Sequence, residues 1–371
     1  MRQIDCAERL IMITVLHIIT TVNLGGAEKQ LLTLSKTMSL NSLNVSVLYL
    51  KGRGDLKNEF KRNGIDCTKL TDLRNSLPAI YYFYRQKNSI IHAHLPRAEL
   101  LGAALSLMLR IPLVTSKHNT EKFYPKSNYL VSRWLSKFVN RVSVKIICIS
   151  GEVQNFLNNS NEFEKSQSHK LQVVHYGISK TRSLDSRPIK RRVSRFKIMT
   201  ACRLTEQKKV EMLIKSVAIL QRNGCDVSLD IFGEGDQQAD LQRLVAELEV
   251  DSDSVHFKGA VSNIDEHFHL YDLFILSTNY EGFGLVLLEA ASCGLPILAS
   301  RIPVLKEIWI DDVFLFDNKS ENELVSRIYQ LWSSESLLRK NALLALERAK
   351  YFTIEKSEAK ITSIYTKILS I

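Results

Sequence analysis

The sequence lacks most of the features that would assign it to a special class. Aromatic residues make up only 8% of its 371 positions. Its longest apolar stretch, Leu10 to Ile19, is interrupted by Thr14 and His17 and falls short of the ~20 apolar residues that a membrane-spanning helix needs. Asp5 and Glu8 precede that stretch and no small-residue cleavage site comes after it, so a secretory signal is not expected. The six cysteines (Cys6, Cys67, Cys148, Cys202, Cys225 and Cys293) form no CxxC pair and no metal-ligand spacing. Several lie in or beside apolar, strand-like runs, which reads as reduced core thiols in a cytosolic protein with no bound metal. A complete GxGxxG is missing too: the pair Gly25-Gly26 stands alone, and Gly233-Glu-Gly235-Asp-Gln-Gln238 has no third glycine. The second expected strand ends Tyr49-Leu50-Lys51, without the acid that would hold a ribose, so a dinucleotide enzyme is disfavoured.

With 45% hydrophobic and 24% charged residues, the chain has the composition of a soluble globular protein of about two domains. Disorder, collagen and a small disulfide scaffold are excluded. The net charge of +11 is unevenly placed. Residues 1–180 hold 25 basic and 12 acidic side chains, or +13, whereas residues 181–371 hold 25 and 27, or −2. Within the second part, 181–197 carries seven basic residues against one acidic, leaving −8 for residues 198–371. The chain is electrically two halves joined by a basic connector.

Short apolar, β-branched runs alternate with segments of helical period. Expected strands are 11–19, 44–50, 89–94, 112–116, 144–150 and 171–174, with helices between them, 27–38 among these. After the connector the pattern restarts with strands at 196–202, 227–232, 255–257, 273–277 and 296–300 and helices at 207–222, 236–248 and 284–292. The stretch from Glu321 to Ile371 is almost all helical in period. Such alternation predicts parallel sheets covered by helices on both faces, here two Rossmann-like domains in tandem and a helical tail. In these sheets ligands bind beyond the carboxyl ends of the strands, so chemistry is sought in the residues just after each strand.

Gly25 and Gly26 precede the helix that starts at Ala27. Two glycines let backbone approach a phosphate at a helix start, or simply make a tight turn; both readings stand. The strongest passage is Glu281-Gly-Phe-Gly-Leu-Val-Leu-Leu-Glu289. Gly282 and Gly284 loosen a strand-to-helix turn, and the amides of Phe283, Gly284 and Leu285 leave the helix start. Glu289 lies about a turn and a half further along, in an apolar context where an unpaired carboxylate is costly to bury. Such a site offers amides to a diphosphate and a carboxylate to sugar or ribose hydroxyls.

The passage EGFGLVLLEAASCGLPILAS (281–300) resembles the signature of the retaining glycosyltransferases of family 4, two glutamates separated by seven residues. The resemblance extends along nearly the whole chain, through Gly25-Gly26-Ala27-Glu28, IIHAHLPRAELLG (90–102), VTSKHN (114–119), VVHYGIS (173–179), TACRLTEQKK (200–209), DIFGEGDQQADL (230–241) and RIPVLKEI (301–308). It implies the GT-B fold, two Rossmann-like doubly wound domains facing a central cleft. Residues 1–180 would form the acceptor-side domain, 181–197 the connector and 198–352 the nucleotide-sugar domain. A C-terminal helix, 353–371, is expected to pack back on the first domain.

What the resemblance implies residue by residue is a donor site and a catalytic set. Arg203 and Lys208 match the pair that grips the donor diphosphate, for which a planar guanidinium and a point-charge ammonium are suited. Cys202 and Lys209 stand where the family usually has glycines, so the contact falls to Lys208 or Lys209. Glu289 matches the residue that holds the ribose hydroxyls, and Glu281 the one near the donor sugar, with Phe283, Gly284 and Leu285 supplying amides. Gly25 and Gly26 match the loop that faces the diphosphate, and His118 the active-site histidine. Taken without the resemblance, His118 is not favoured over His92 or His94.

The reaction implied is transfer of a sugar, with retention, from a nucleotide-diphosphate donor to a glycan or lipid-linked acceptor in cell-surface polysaccharide synthesis such as lipopolysaccharide or capsule. No cofactor or metal is expected. The +13 of the first domain points to an anionic partner on the acceptor side: a lipid-linked pyrophosphate, an acidic glycan or an anionic membrane surface, with the protein cytoplasmic and peripheral on the inner face of the membrane. From Lys126 to Lys145, Leu130, Val131, Trp134, Leu135, Phe138, Val139 and Val142 form one helical stripe with basic residues beside it. That stripe is expected to pack on the sheet. Nucleic acid is not expected, since no recognition motif accompanies the charge. The competing readings are a nucleotide-sugar epimerase of GT-B shape and a non-catalytic nucleotide-sugar-binding protein.

Overall fold

The structure, a computed structural model, describes residues 12–124, 128–179, 195–251 and 253–370. Residues 181–194 of the expected connector, Cys6 and Lys126 lie outside the described residues. The chain divides into two compact units. The first takes the residues to Ile149, Val153–His175 and Ile354–Ile371, and the second takes Ser150–Glu152 and Tyr176–Thr353.

In the first unit the order is β1 (Thr14–Ile19), α1 (Gly26–Leu40), β2 (Asn44–Tyr49), α2 (Lys57–Arg62), β3 (Asp66–Lys69), α3 (Leu73–Arg85) and β4 (Ser89–His94), then α4 (Pro96–Leu109), β5 (Leu113–Lys117), α5 (Tyr129–Val142), β6 (Lys145–Cys148), α6 (Gly151–Asn159) and β7 (Leu171–Val173). Its seven strands are all parallel, in the order β3-β2-β1-β4-β5-β6-β7. Every residue of β1, β4 and β5 is buried, because helices cover both faces of the sheet; the buried positions include the polar His17, His92, His94, Thr115 and Ser116. Val15, Ile19, Ile90 and Val114 face the layer of α1 and α2. Leu16, Ile18, Ile91 and Leu113 face α3, α4 and α5.

In the second unit β8 (Phe196–Ala201), α7 (Val210–Arg222), β9 (Val227–Phe232), α8 (Gln238–Glu247), β10 (Val255–Gly259), β11 (Leu273–Leu276), α9 (Leu285–Ser292), β12 (Ile297–Ser300), α10 (Pro303–Ile308), β13 (Leu315–Phe316), α11 (Glu321–Ser333) and α12 (Glu335–Ala349) succeed one another. The six parallel strands are ordered β10-β9-β8-β11-β12-β13. Ser320 and Ser334 cap α11 and α12 by accepting from the amides of Glu323 and Leu337 at 3.2 and 3.3 Å. A last helix, α13 (Ile354–Leu369), belongs to the first unit, where Ile354, Ile361, Ile364 and Tyr365 join the core under α1.

Besides the short β13, three features differ from the sequence expectation. The strand β3 was not expected: only Cys67 among its four residues is apolar, and an edge strand carries a weak periodic signal. The helix expected over 207–222 is broken at Lys209, whose φ of 45° separates a short 3₁₀ turn, Glu206–Lys208, from α7. The stripe on α5 is divided. Leu135, Phe138, Val139 and Val142 pack inward, but Leu130 and Trp134 are each 67% exposed and Val131 is exposed beside them. The reason is a polar seam: Ser132, Ser136 and Asn140 are buried, Ser132 Oγ donates to Glu162 Oε1 at 2.8 Å, and Glu162 Oε2 accepts from the Phe123 amide at 2.8 Å. Satisfying that buried carboxylate turns the apolar stripe outward.

Candidate active site

In the second unit the chain runs one way from β8 to β9 and the other way from β11 to β12, so the carboxyl ends of β8 and β11 mark the topological switch point where open sheets bind ligands. Two charged residues meet there. Lys208, in the turn after β8, donates from Nζ to Glu281 Oε1, which lies after β11. Both side chains are largely buried, at 10% and 16% exposure. Ser277 Oγ donates to the Lys208 carbonyl at 2.9 Å and ties the turn to β11. Lys209 faces elsewhere, its Nζ donating to the Asn318 carbonyl at 2.6 Å. Of the two lysines, Lys208 is therefore the one at Glu281. Arg203 is exposed and makes no ion pair among the described residues.

The glycine pair Gly233 and Gly235 explains how Arg203 is carried. Gly233 has φ 126°, and a β-carbon there would stand well under 3.0 Å from the Cys202 carbonyl oxygen. One at Gly235 would overlap the Leu204 backbone. The two segments are joined by Leu204 N–H to the Glu234 carbonyl at 2.9 Å and Gln237 N–H to the Leu204 carbonyl at 3.0 Å. These glycines thus let backbone meet backbone and set the Cys202–Leu204 loop in place.

Helix α9 starts beside the Lys208–Glu281 pair. Gly284 caps it with φ 81°, a conformation in which a side chain would be strained, and a β-carbon there would meet Leu305 Cδ2 at 3.0 Å. Phe283 is buried beneath, and Leu287, Leu288, Ala290 and Ala291 anchor the helix in the core. The first amides of α9, Leu285 at its head, have no carbonyl a turn earlier to accept from them, and the helix dipole adds positive potential there. Glu289 is half-buried one turn on. Lys208, Glu281, Phe283, Gly284 and Leu285 thus stand at one helix start, and Glu289 follows a turn along the same helix.

In the first unit the switch point lies between β1 and β4. Gly25 is tight: the Glu28 carboxylate, accepting from Thr21 Oγ1 at 2.6 Å, occupies the space a β-carbon would need. Gly26 has nothing within 4 Å of such a carbon, so nothing in the described fold requires a glycine there. His118 lies just after β5 and is half-buried. Its Nε2 lies 3.2 Å from His94 Nδ1, and His94 Nε2 lies 3.0 Å from His17 Nδ1. His92 sits beside them, with Nδ1 2.5 Å from Tyr365 Oη and Nε2 2.7 Å from Ser116 Oγ. Burial pushes the His17 and His118 imidazoles down to about 3, and those of His92 and His94 well below the ordinary value. Beside His118, Lys117 pairs with Glu99, which is only 1% exposed. Burial raises the Glu99 carboxyl while Lys117 opposes that shift.

Among the described residues, His17, His92 and His94 offer ligand atoms within 4.8 Å of one another. Metal lone pairs must converge, yet the His92 and His94 rings stack at 4.3 Å with planes 29° apart, and both nitrogens of His92 already have protein partners. The geometry is that of a hydrogen-bonded stack. Sequence reasoning weighed His92 and His94 but not His17 or the Glu99–Lys117 pair. The alternation in His92-Ala-His94 shows that two rings share a face, whereas His17 joins them only through the register that sets it opposite His92. A separate polar pocket in the second unit, with Asp230 held by His256 at 2.8 Å, Lys258 at 3.3 Å and Tyr271 at 2.7 Å, includes none of the residues expected at the donor.

Two family models match the chain in tandem, glycosyltransferase family 4 over residues 24–182 and glycosyl transferases group 1 over 182–343. The chain belongs to the family 4 glycosyltransferases. Similar curated proteins include the GtfA subunit of a UDP-N-acetylglucosamine–peptide N-acetylglucosaminyltransferase from Streptococcus parasanguinis, 30% identical over 55% of this chain and 39% of that one. Another is the N-acetyl-alpha-D-glucosaminyl L-malate synthase of Bacillus anthracis, 26% identical over 77% and 76%. The chain spans about two fifths of the length of the first of these relatives. The fold matches Anabaena HepE, solved with UDP and glucose, with a TM-score of 0.78 at 20% identity over 95% of this chain and 99% of that one. It is the GT-B fold, with two parallel sheets and C-terminal helices.

Proposed function

We propose that this family 4 glycosyltransferase moves a hexosyl or N-acetylhexosaminyl group, with retention, from a nucleotide-diphosphate donor to a lipid-linked or anionic glycan acceptor in cell-surface polysaccharide synthesis. The observation that carries the reading is the Lys208–Glu281 pair at the β8/β11 switch point, beside the open amides of α9 and an exposed Arg203 that has no ion pair among the described residues. The leaving group is a nucleoside diphosphate, so the transition state needs positive charge on phosphate oxygens more than a strong nucleophile. Lys208, Arg203 and the amides of Phe283, Gly284 and Leu285 supply it, Glu289 holds ribose hydroxyls, and Glu281 stands by the donor sugar. Gly25 and Gly26 approach the diphosphate and His118 the transferred sugar. This chemistry requires no metal or other cofactor, and activity should persist in EDTA.

The names of both curated relatives contain an N-acetylglucosaminyl group, and HepE was solved with UDP, so UDP-N-acetylglucosamine is the first donor to test. A thermal-shift screen with UDP, GDP and ADP sugars reads binding by mass action, and donor turnover with and without acceptor reads the reaction. Conversion of donor without acceptor would favour an epimerase; binding without turnover would favour a non-catalytic binding protein.

On the acceptor side, the exposed Leu130, Val131 and Trp134 with Arg133 and Lys137 on α5, and Tyr81, Tyr82 and Tyr84 on α3 of the same layer, support a cytoplasmic protein resting on an anionic inner membrane face. No helix among the described residues is long and apolar enough to cross a membrane. Sedimentation with phosphatidylglycerol vesicles that is unchanged in Trp134→Ser would remove that part of the reading.

A further inference from the structure

The residues His118, His94 and His17 form one chain of hydrogen bonds, and its direction can be worked out. Each ring is kept neutral by burial, so each has one N–H and one lone pair. His94 uses both nitrogens, so it donates with one and accepts with the other. If protons pointed toward β1, His17 would accept on Nδ1 and carry its hydrogen on Nε2. That nitrogen is buried and has no hydrogen-bond partner, so an N–H would be stranded there. In the opposite direction only a lone pair is stranded. Orphaned buried N–H groups are the rarer of the two defects, and a buried donor left unmade costs its full desolvation. The direction is therefore outward: His17 Nδ1–H to His94 Nε2, then His94 Nδ1–H to His118 Nε2.

We propose that His94, backed by His17, is a positioning residue that fixes His118 as its Nδ1–H tautomer. The inference rests on the reading of His118 as a group at the transferred sugar. His92 completes the support: Tyr365 of α13 and Ser116 of β5 hold its two nitrogens, and its ring stacks on His94. The arrangement comes from register. His17 stands opposite His92 and His94 opposite Ser116, all on the sheet face covered by α1 and α13, among Val15, Ile19, Ile90 and Val114. With its tautomer fixed, His118 has its hydrogen on Nδ1. In that state the ring is neutral, so it does not act as a general acid that must first be charged.

The test is a two-bond proton–nitrogen correlation spectrum of the full chain labelled with ¹⁵N-histidine at pH 7.5, with His118 assigned by loss of its signals in His118→Asn. A protonated Nδ1 and a bare Nε2 are expected. A hydrogen on Nε2, or a charged ring, overturns the proposal. Kinetics give a second readout. His94→Leu should lower kcat by about 10- to 100-fold while the donor KM stays within about threefold, because binding does not pass through this ring. His94→Asn, whose amide can stand near Nδ1, should recover much of that loss. A folded His94→Leu protein with kcat within twofold of the parent overturns the proposal, and if that variant does not fold the parent's spectrum decides. A chain that binds donor but transfers nothing sinks the transferase reading, while the spectrum still decides the tautomer.

Discussion

Two glycine-to-alanine changes should act in opposite ways on stability, and the contrast comes from the space around each. At Gly233 an alanine must hold a φ of 126° and place its β-carbon against the Cys202 carbonyl oxygen, which is backbone and cannot swing aside. Backbone strain of about 1–3 kcal/mol and overpacking of about 1–3 kcal/mol give a loss of roughly 2–6 kcal/mol. At ~2–4 °C per kcal/mol for a domain of this size, the second unit should melt about 5–20 °C lower. The Cys202–Leu204 loop moves with it, so donor stabilisation should also fall. At Gly26, in the first turn of α1, a β-carbon meets nothing within 4 Å. Alanine is the better helix former by up to about 1 kcal/mol, so the melting temperature should hold or rise by about 1–3 °C. If Gly26 faces the diphosphate, donor affinity should nevertheless drop. Differential scanning calorimetry with and without UDP-sugar reads both quantities. A Gly233→Ala protein as stable as the parent would refute the packing argument, and a Gly26→Ala protein with unchanged donor affinity would refute the loop's role.

Other expectations are as direct. Lys208→Met and Glu281→Gln should each cost about 1–3 kcal/mol by leaving a largely buried charge alone, and the double variant should cost less than the sum; additive losses by denaturant titration would mean the pair is not formed in solution. Either single change should also lower turnover by about 10²-fold or more, and a near-normal rate would remove the residue from the site. Tyr365→Phe strips His92 Nδ1 of its partner and should destabilise the first unit by about 1–3 kcal/mol; no change in its transition would show the bond to be absent. His17 and His118 have folded values of about 3 against 6.5, so the unfolded chain binds more protons between those limits. Stability should therefore be full above pH 6.5 and fall progressively toward pH 3. A first unit equally stable at pH 7 and pH 5 would contradict the buried neutral stack.

Much of the fold was legible because a buried parallel strand is a short, largely apolar run bounded by turns. Runs such as SIIHAH and VSLDIF coincide with β4 and β9 residue for residue. Two edge strands left no such trace, β3 because only one of its four residues is apolar and β13 because it is two residues long, whereas the edge strands β7 and β10 were legible. At the proposed donor site the residue types and their places after strands were readable, but the choice between Lys208 and Lys209 was not. It depends on the φ of 45° at Lys209, which breaks the expected helix and points one ammonium at Glu281 and the other at Asn318. The outward turn of the α5 stripe was likewise hidden, since helical period marks an apolar face but not which face a buried Glu162 will claim.

The sequence alone determined the alternation that makes two parallel sheets, the charge contrast between the halves, the absence of a CxxC pair and a GxGxxG, and the order in which glycines, bases and acids come after the strands. These are properties of nearest neighbours and of period. Tertiary structure decided whatever requires two strands or two loops to meet. It set Lys208 against Glu281 across a switch point and laid Gly233 and Gly235 on the backbone that carries Arg203. It also gathered His17, His92, His94 and His118 from three strand segments, with Tyr365 reaching them from a helix near the other end of the chain. Register and burial fix which nitrogen bears the proton in that stack, and neither can be read until the sheet is assembled.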